Sequence, residues 1–230
     1  MTTLKQLETK HNFTFPPLYK TLFEANKLNW MGNFESPLEK GKTWADDVYP
    51  TLKENLPLLL HSGGSDFELL TPNAVLNFDF PEAWDTEEHH FIPFSKTAEG
   101  NTYAFYEQEG ESHIVLIWED DEAEYVAKNF EDFIFLKMLE AADGIDKDDL
   151  YADYGKDEPM ELYRADLKAD LEAIRPYLKD AYVSVLEEAY NGEVLETLIA
   201  YGFITNKPVK EMIKEMLDFE LRGEVFEHEG

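Results

Sequence analysis

Four short stretches of this 230-residue chain carry residue types that do chemistry when closely spaced. The run Ser36–Thr43, SPLEKGKT, ends in Gly41-Lys42-Thr43, the residues that close a phosphate-binding loop. Ser36 stands where the loop's first glycine belongs and no apolar strand leads in, so a nucleotide site is not indicated. His61, Ser62, Ser65 and Asp66 in HSGGSD are the residue types of a serine hydrolase. No GxSxG elbow frames them, and triad members come from separated parts of a chain, so the stretch reads as a glycine-rich turn. His89-His90 follows Glu87-Glu88. Neighbouring residues of a strand point to opposite faces, which predicts a surface pair rather than two ligands of one metal. The acidic run from Asp143 to Glu158 is calcium-like, but Leu150 occupies a ligand position, and the glycine and closing glutamate are out of place. With 49 acidic residues some carboxylates will lie close together, yet no desolvated cleft that would tune them for acid–base work is marked. The expectation is a non-enzymatic protein with no metal and no cofactor.

The acids themselves carry the stronger pattern. The apolar run His113–Trp118 empties into Glu119, Asp120, Asp121 and Glu122, with Glu124 just beyond. Trp84 is followed by Asp85, Glu87 and Glu88. A tryptophan ringed by carboxylates can dock a Lys- or Arg-rich partner through cation–π contact and ion pairing. Equally, each tryptophan can be core, with the acids following it outward. The core reading is expected for Trp118, while for Trp44 and Trp84 both stand. The candidate partner-binding surface is therefore Trp84, Asp85, Glu87, Glu88, Glu119, Asp120, Asp121, Glu122 and Glu124. Net charge is −29, and it is skewed: between Asp66 and Glu140, 19 carboxylates face only Lys96, Lys128 and Lys137. Such a field repels a phosphate backbone, which argues against direct nucleic-acid binding, and it speeds association with a basic protein.

Hydrophobic residues make up 43% of the chain, enough to bury a sizeable core. There is no cysteine, hence no disulfide or thiolate site, which fits a reducing compartment. No run of 18 apolar residues occurs, so no membrane span is expected, and the start lacks an apolar signal core. A cytoplasmic globular protein is the expectation, and its oligomeric state is open.

These elements must position the acids. Leu4 and Leu7 predict a helix over Thr3–Lys10, and Pro16-Pro17 opens a second. A helix is expected after Pro50. FELLTP reads as a short strand, and AVLNFDF as a strand or short helix. HFIPFS is an edge-type strand because Pro93 cannot donate to a ladder. NTYAFYE and HIVLIWE flank a hairpin turn at Gly110. HIVLIWE is apolar on both faces and should be central, with a helix over at least one of them. Asn129 should cap the next helix, which ends at Gly144. Segment 144–158 reads as an acidic linker or crossing segment. Beyond it helices are expected over Pro159–Asn191, interrupted near Pro176, then over Glu193–Tyr201 and Pro208–Leu221, with Gly192 and Gly202 as stops. The fold class is α+β: a small, mainly antiparallel sheet packed with helices, plus an α-helical C-terminal extension over 159–230.

The order of FPPLYKTLFEAN, FELLTP, FIPFS, GNTYAF, HIVLIWEDDE and NFEDFIFLKML resembles the SUKH superfamily. That resemblance spans roughly Leu4 to Glu140, within an expected domain of residues 1–143. The superfamily contains bacterial immunity proteins against polymorphic toxins and a yeast regulator of cell-wall glucan synthesis. It implies a protein that binds and blocks a cognate toxin domain, basic if a nuclease, with the acidic strand end imitating the phosphate track. The other reading it implies is a regulatory scaffold for an endogenous cellular protein.

Overall fold

A computed structural model of the chain describes residues 3–25, 27–28, 68–81, 84, 88–97, 99–108, 110–118, 122–155, 157–204 and 206–227. The expected helix after Pro50, Gly41-Lys42-Thr43, Trp44 and HSGGSD lie outside the described residues. The chain divides into two compact units: Met1–Asn33 with Phe67–Phe133 and Phe219–Gly230, and Phe34–Asp66 with Ile134–Asp218.

The first unit is built on a six-stranded sheet of order β1-β2-β3-β4-β5-β9, antiparallel throughout. Its strands are β1 (Glu68–Leu69), β2 (Phe91–Lys96), β3 (Thr102–Gln108), β4 (Glu111–Ile117), β5 (Glu122–Ala127) and β9 (Val225–Glu227). β4 is central, as its two apolar faces require. Gly110 turns β3 into β4 at φ +85°, a conformation that glycine reaches without strain. β1 pairs with Ser95 and Lys96, and among the described residues Pro93 is in register with a strand partner, Ala104, on one side alone.

One face of the sheet packs Phe94 and Phe105 against Phe15, Tyr19, Phe130 and Phe133, with ring centroids 4.7–5.8 Å apart. These rings come from the chain around α1 (Leu4–His11) and α2 (Pro17–Glu24), and from the first turn of α4 (Phe130–Asp143). Thr3 and Gln6 cap α1 reciprocally, and Pro17 opens α2. Asn129 Oδ1 accepts from the Asp132 N–H at 3.0 Å, the expected cap of α4. The opposite face carries Trp84, Phe91, Ala104, Tyr106, Val115, Ile117, Ala123 and Tyr125, with Phe78, Phe80, Phe219, Leu221 and Phe226 laid over them. AVLNFDF resolves as a short helix, α3 (Pro72–Leu76), capped by Thr71.

The second unit continues α4 from Ile134. It adds β6 (Ile145–Asp146), α5 (Lys147–Tyr154), α6 (Pro159–Ile174), a 3₁₀ turn (Arg175–Tyr177), α7 (Asp180–Tyr190), β7 (Leu195–Glu196), β8 (Ala200–Gly202) and α8 (Asn206–Leu217). β6, β8 and β7 form a three-stranded antiparallel sheet. Tyr163 and Tyr190 are fully buried and donate to Ala141 O at 2.7 Å and Met138 O at 2.9 Å. Phe135 stacks on Tyr182 at 4.1 Å.

Four expectations change. Segment 144–158 holds a strand and a helix, because Ile145, Leu150 and Tyr154 find burial and Asp146 caps α5 by accepting from the Asp148 N–H. Glu193–Tyr201 is a hairpin rather than a helix, since Thr197 and Ala200 bond to each other across a tight turn. Gly202 is accordingly a strand residue and not a helix stop; a Cβ there would lie 2.1 Å from Asp143 O. The end of the expected helical extension is also extended chain, the strand β9.

Candidate partner-binding surface

The acidic strand end is positioned by the β4–β5 hairpin. Trp118 N–H donates to Glu122 O at 3.0 Å and closes it. Glu119, Asp120 and Asp121 lie outside the described residues, as do Asp85 and Glu87. Glu122 is exposed and Glu124 half-buried. Both alternate with the buried Ala123 and Tyr125, so they project to the opposite face of β5 from that pair.

β9 completes this site, and it was not anticipated from the sequence. In register, Glu122 faces Glu227, Ala123 faces Phe226, and Glu124 faces Val225. β9 is held by aromatic packing: Phe226 lies 5.2 Å from Tyr106 and 5.0 Å from Tyr125. Gly223, at φ +82°, bends the chain into the strand, and its N–H donates to Tyr125 O at 2.8 Å. The available signal was the three residues Val-Phe-Glu after Gly223, alternating and rich in β propensity, but too short to stand out behind a helical pattern.

Glu122, Glu124 and Glu227 thus share one face at the sheet's edge, and Glu224 precedes β9. Among the described residues none of the four enters an ion pair. Like charges directly opposed across strands destabilise a sheet. Behind them the phenol of Tyr125 donates to Gln108 Oε1 at 2.7 Å. Burial, with lesser help from Tyr106 and Glu224, pushes its pKa up to about 12.

Burial and then the Glu88 carboxylate raise the pKa of Tyr106, whose ring is on the face that carries Phe226. Trp84 is 8% exposed and packs at 5.7–6.0 Å on Phe78, Phe80 and Phe91. It is a core ring and not an exposed anchor: it fills the space between the two loop phenylalanines and β2. Trp118, expected in the core, is half-buried instead. The two tryptophans line a groove of about 470 Å³ together with Phe78, Asp79, Lys96 and Ile117. Lys96 Nζ stands 5.6 Å over the Phe78 ring.

His89 and His90 go to separate partners. His89 Nδ1 meets the Tyr106 hydroxyl at 2.9 Å; His90 Nε2 meets His11 O at 2.7 Å, and its Nδ1 lies 3.3 Å from Glu107. No group of three or more metal-ligating side chains assembles among the described residues.

No helix among the described residues is long and apolar enough to cross a membrane. No curated protein and no solved structure matches the chain. The model of the SMI1 / KNR4 family (SUKH-1) matches residues 2–135, which covers the sheet from β1 through β5 and the helices before it. A match over more than half of the chain, on the elements that form the antiparallel sheet and its helical cover, makes this protein a member of the SMI1/KNR4 (SUKH-1) family.

Proposed function

We propose that this chain is a non-enzymatic immunity protein that binds a cognate toxin domain and blocks it by stoichiometric occlusion, through the acidic end of its sheet. One observation carries the proposal: Glu122, Glu124 and Glu227 are gathered on one face of the β5–β9 edge, and among the described residues no basic side chain pairs with them. The pairing of Glu122 with Glu227 costs stability in the free protein. A basic partner would turn that cost into binding energy and would be drawn in by the −29 net charge. The toxin class that fits is a nuclease with a basic substrate cleft, where the carboxylates from Glu119 to Glu124, with Glu227, would occupy the phosphate track. The half-buried Trp118 beside them supplies an aromatic surface for Lys or Arg.

The test is affinity capture of the tagged chain from its host at low and moderate salt, in parallel with the triple variant Glu122→Lys, Glu124→Lys, Glu227→Lys. The expected result is one basic toxin domain at near-equal stoichiometry, inhibited by the wild type, with capture by the variant lost. A set of housekeeping proteins instead would favour the regulatory-scaffold reading. Unchanged binding and salt dependence in the variant would end the role assigned to the acidic edge.

A further inference from the structure

The second unit carries an apolar feature of a different kind. Five large hydrophobic side chains are exposed among the described residues, and three of them lie within six positions: Val194 just before the β7–β8 hairpin, and Leu198 and Ile199 at its tip. Leu198 is 92% exposed and Ile199 68%. Scattered single exposed hydrophobics are ordinary; two adjacent ones at the tip of a hairpin are not.

The tip is also rigid. Thr197 N–H donates to Ala200 O at 2.9 Å, Ala200 N–H donates to Thr197 Oγ1 at 3.0 Å, and the Thr197 hydroxyl donates back to Ala200 O at 3.0 Å. From the neighbouring element, Lys147 N–H donates to Ile199 O at 2.9 Å. Turn tips ordinarily take Gly, Asn, Asp or Pro. Here a threonine supplies the turn bonds, leaving the two positions between them for Leu and Ile. A backbone held in place before binding loses less freedom when a partner covers it.

The surroundings of the tip are acidic. Asp146 lies in register with Ala200, Asp148 and Asp149 open α5 beside it, Glu193 precedes β7 and Glu196 lies in it; all five are exposed. Lys147 is the cation in this rim, and it is already engaged, 2.7 Å from Glu196 and 4.8 Å over the Tyr201 ring. We infer that the β7–β8 hairpin is a docking tip for a partner protein presenting an apolar pocket rimmed by Lys and Arg. The apolar pair would fill the pocket, and the carboxylates would meet the rim. A second copy of this chain fits poorly, because self-association would press two such acidic rims together. The hairpin lies beyond residues 2–135 and shares no residue with the sheet edge, so the two surfaces can be tested separately.

The test is photo-crosslinking of the full chain in its host, with p-benzoylphenylalanine replacing Leu198 and mass-spectrometric mapping of the crosslinked peptide. The expected result is a crosslink to a single other protein, at an apolar segment flanked by Lys or Arg. Its yield should fall about tenfold when Ile199→Asp is added. Unchanged near-ultraviolet circular dichroism of Ile199→Asp would show that the loss is not unfolding, and Thr197→Ala, which loosens the turn, should lower the yield less. A crosslink to this chain itself, to many proteins at similar yield, or to nothing would overturn the inference.

Discussion

Glu122 on β5 stands directly opposite Glu227 on β9, two exposed carboxylates paired across antiparallel strands and, among the described residues, in no ion pair. If this opposition is tolerated in the free protein, then Glu227→Lys should raise stability by about 0.5 kcal/mol, the range of an opposite-charge cross-strand pair against a like-charge one. Urea unfolding would measure it. The effect should shrink in 0.5 M salt, because both groups face solvent. A neutral or destabilising result would mean the two carboxylates do not feel each other.

Much of the sheet was legible because its physics is local. His113–Trp118 is apolar on both faces, which only a central strand permits, and Asn129 ahead of Phe130 is a cap with few other uses. β9 was not legible, because a three-residue strand has meaning only through Tyr106 and Tyr125, more than a hundred positions earlier in sequence. The hairpin at Leu195–Gly202 was missed for a related reason: helical periodicity across Leu195, Leu198 and Ile199 is a fair local reading that tertiary pairing with β6 overrides. Trp84, for which both readings stood, is core because Phe78, Phe80 and Phe91 surround it, which the acids beside the ring do not report.

Gly202 provides a sharp test of the second unit. A Cβ at this position would stand 2.1 Å from Asp143 O and 3.2 Å from Ala142 O, both backbone atoms at the end of α4. Backbone cannot swing aside as a flexible side chain can, so Gly202→Ala should destabilise by roughly 3 kcal/mol or prevent folding of this unit. Gly110→Ala, where the space is open and only the positive φ is strained, should cost about 1 kcal/mol. Thermal unfolding of the two variants side by side should show that order.

Arg164 closes the C-terminus of α7. Its Nη1 donates to Tyr190 O at 2.7 Å and Gly192 O at 2.9 Å, and its guanidinium lies 4.3 Å over the Phe203 ring. Planar stacking and two bonds from one nitrogen are things that an ammonium on a flexible stem reproduces poorly. Arg164→Lys should therefore cost about 1 kcal/mol and Arg164→Ala about 2–3 kcal/mol, since the latter leaves helix-terminal carbonyls unpaired. An Arg164→Lys variant as stable as the wild type would show that charge alone is at work.

Alkaline unfolding should be dominated by buried tyrosines. Burial raises Tyr163 and Tyr190 well above the ordinary phenol value, with Asp170 adding to it, and burial alone raises Tyr19. A group whose folded pKa lies above its unfolded value contributes stability that is fully present below the unfolded pKa, here about 10. That stability is lost as pH rises beyond it, because the unfolded chain then ionises and the folded one does not. Each such phenol should steepen the fall by about 1.4 kcal/mol per pH unit above pH 10. Absorbance at 295 nm should accordingly show fewer than the chain's 12 tyrosines ionised at pH 11 while near-ultraviolet circular dichroism persists, and all 12 once urea is added. Tyr190→Phe should lower stability at pH 7, because Met138 O loses its donor, yet flatten the decline above pH 10. If all 12 tyrosines ionise near pH 10 with the fold intact, the buried pair is open to solvent and the packing of α6 and α7 described above is wrong.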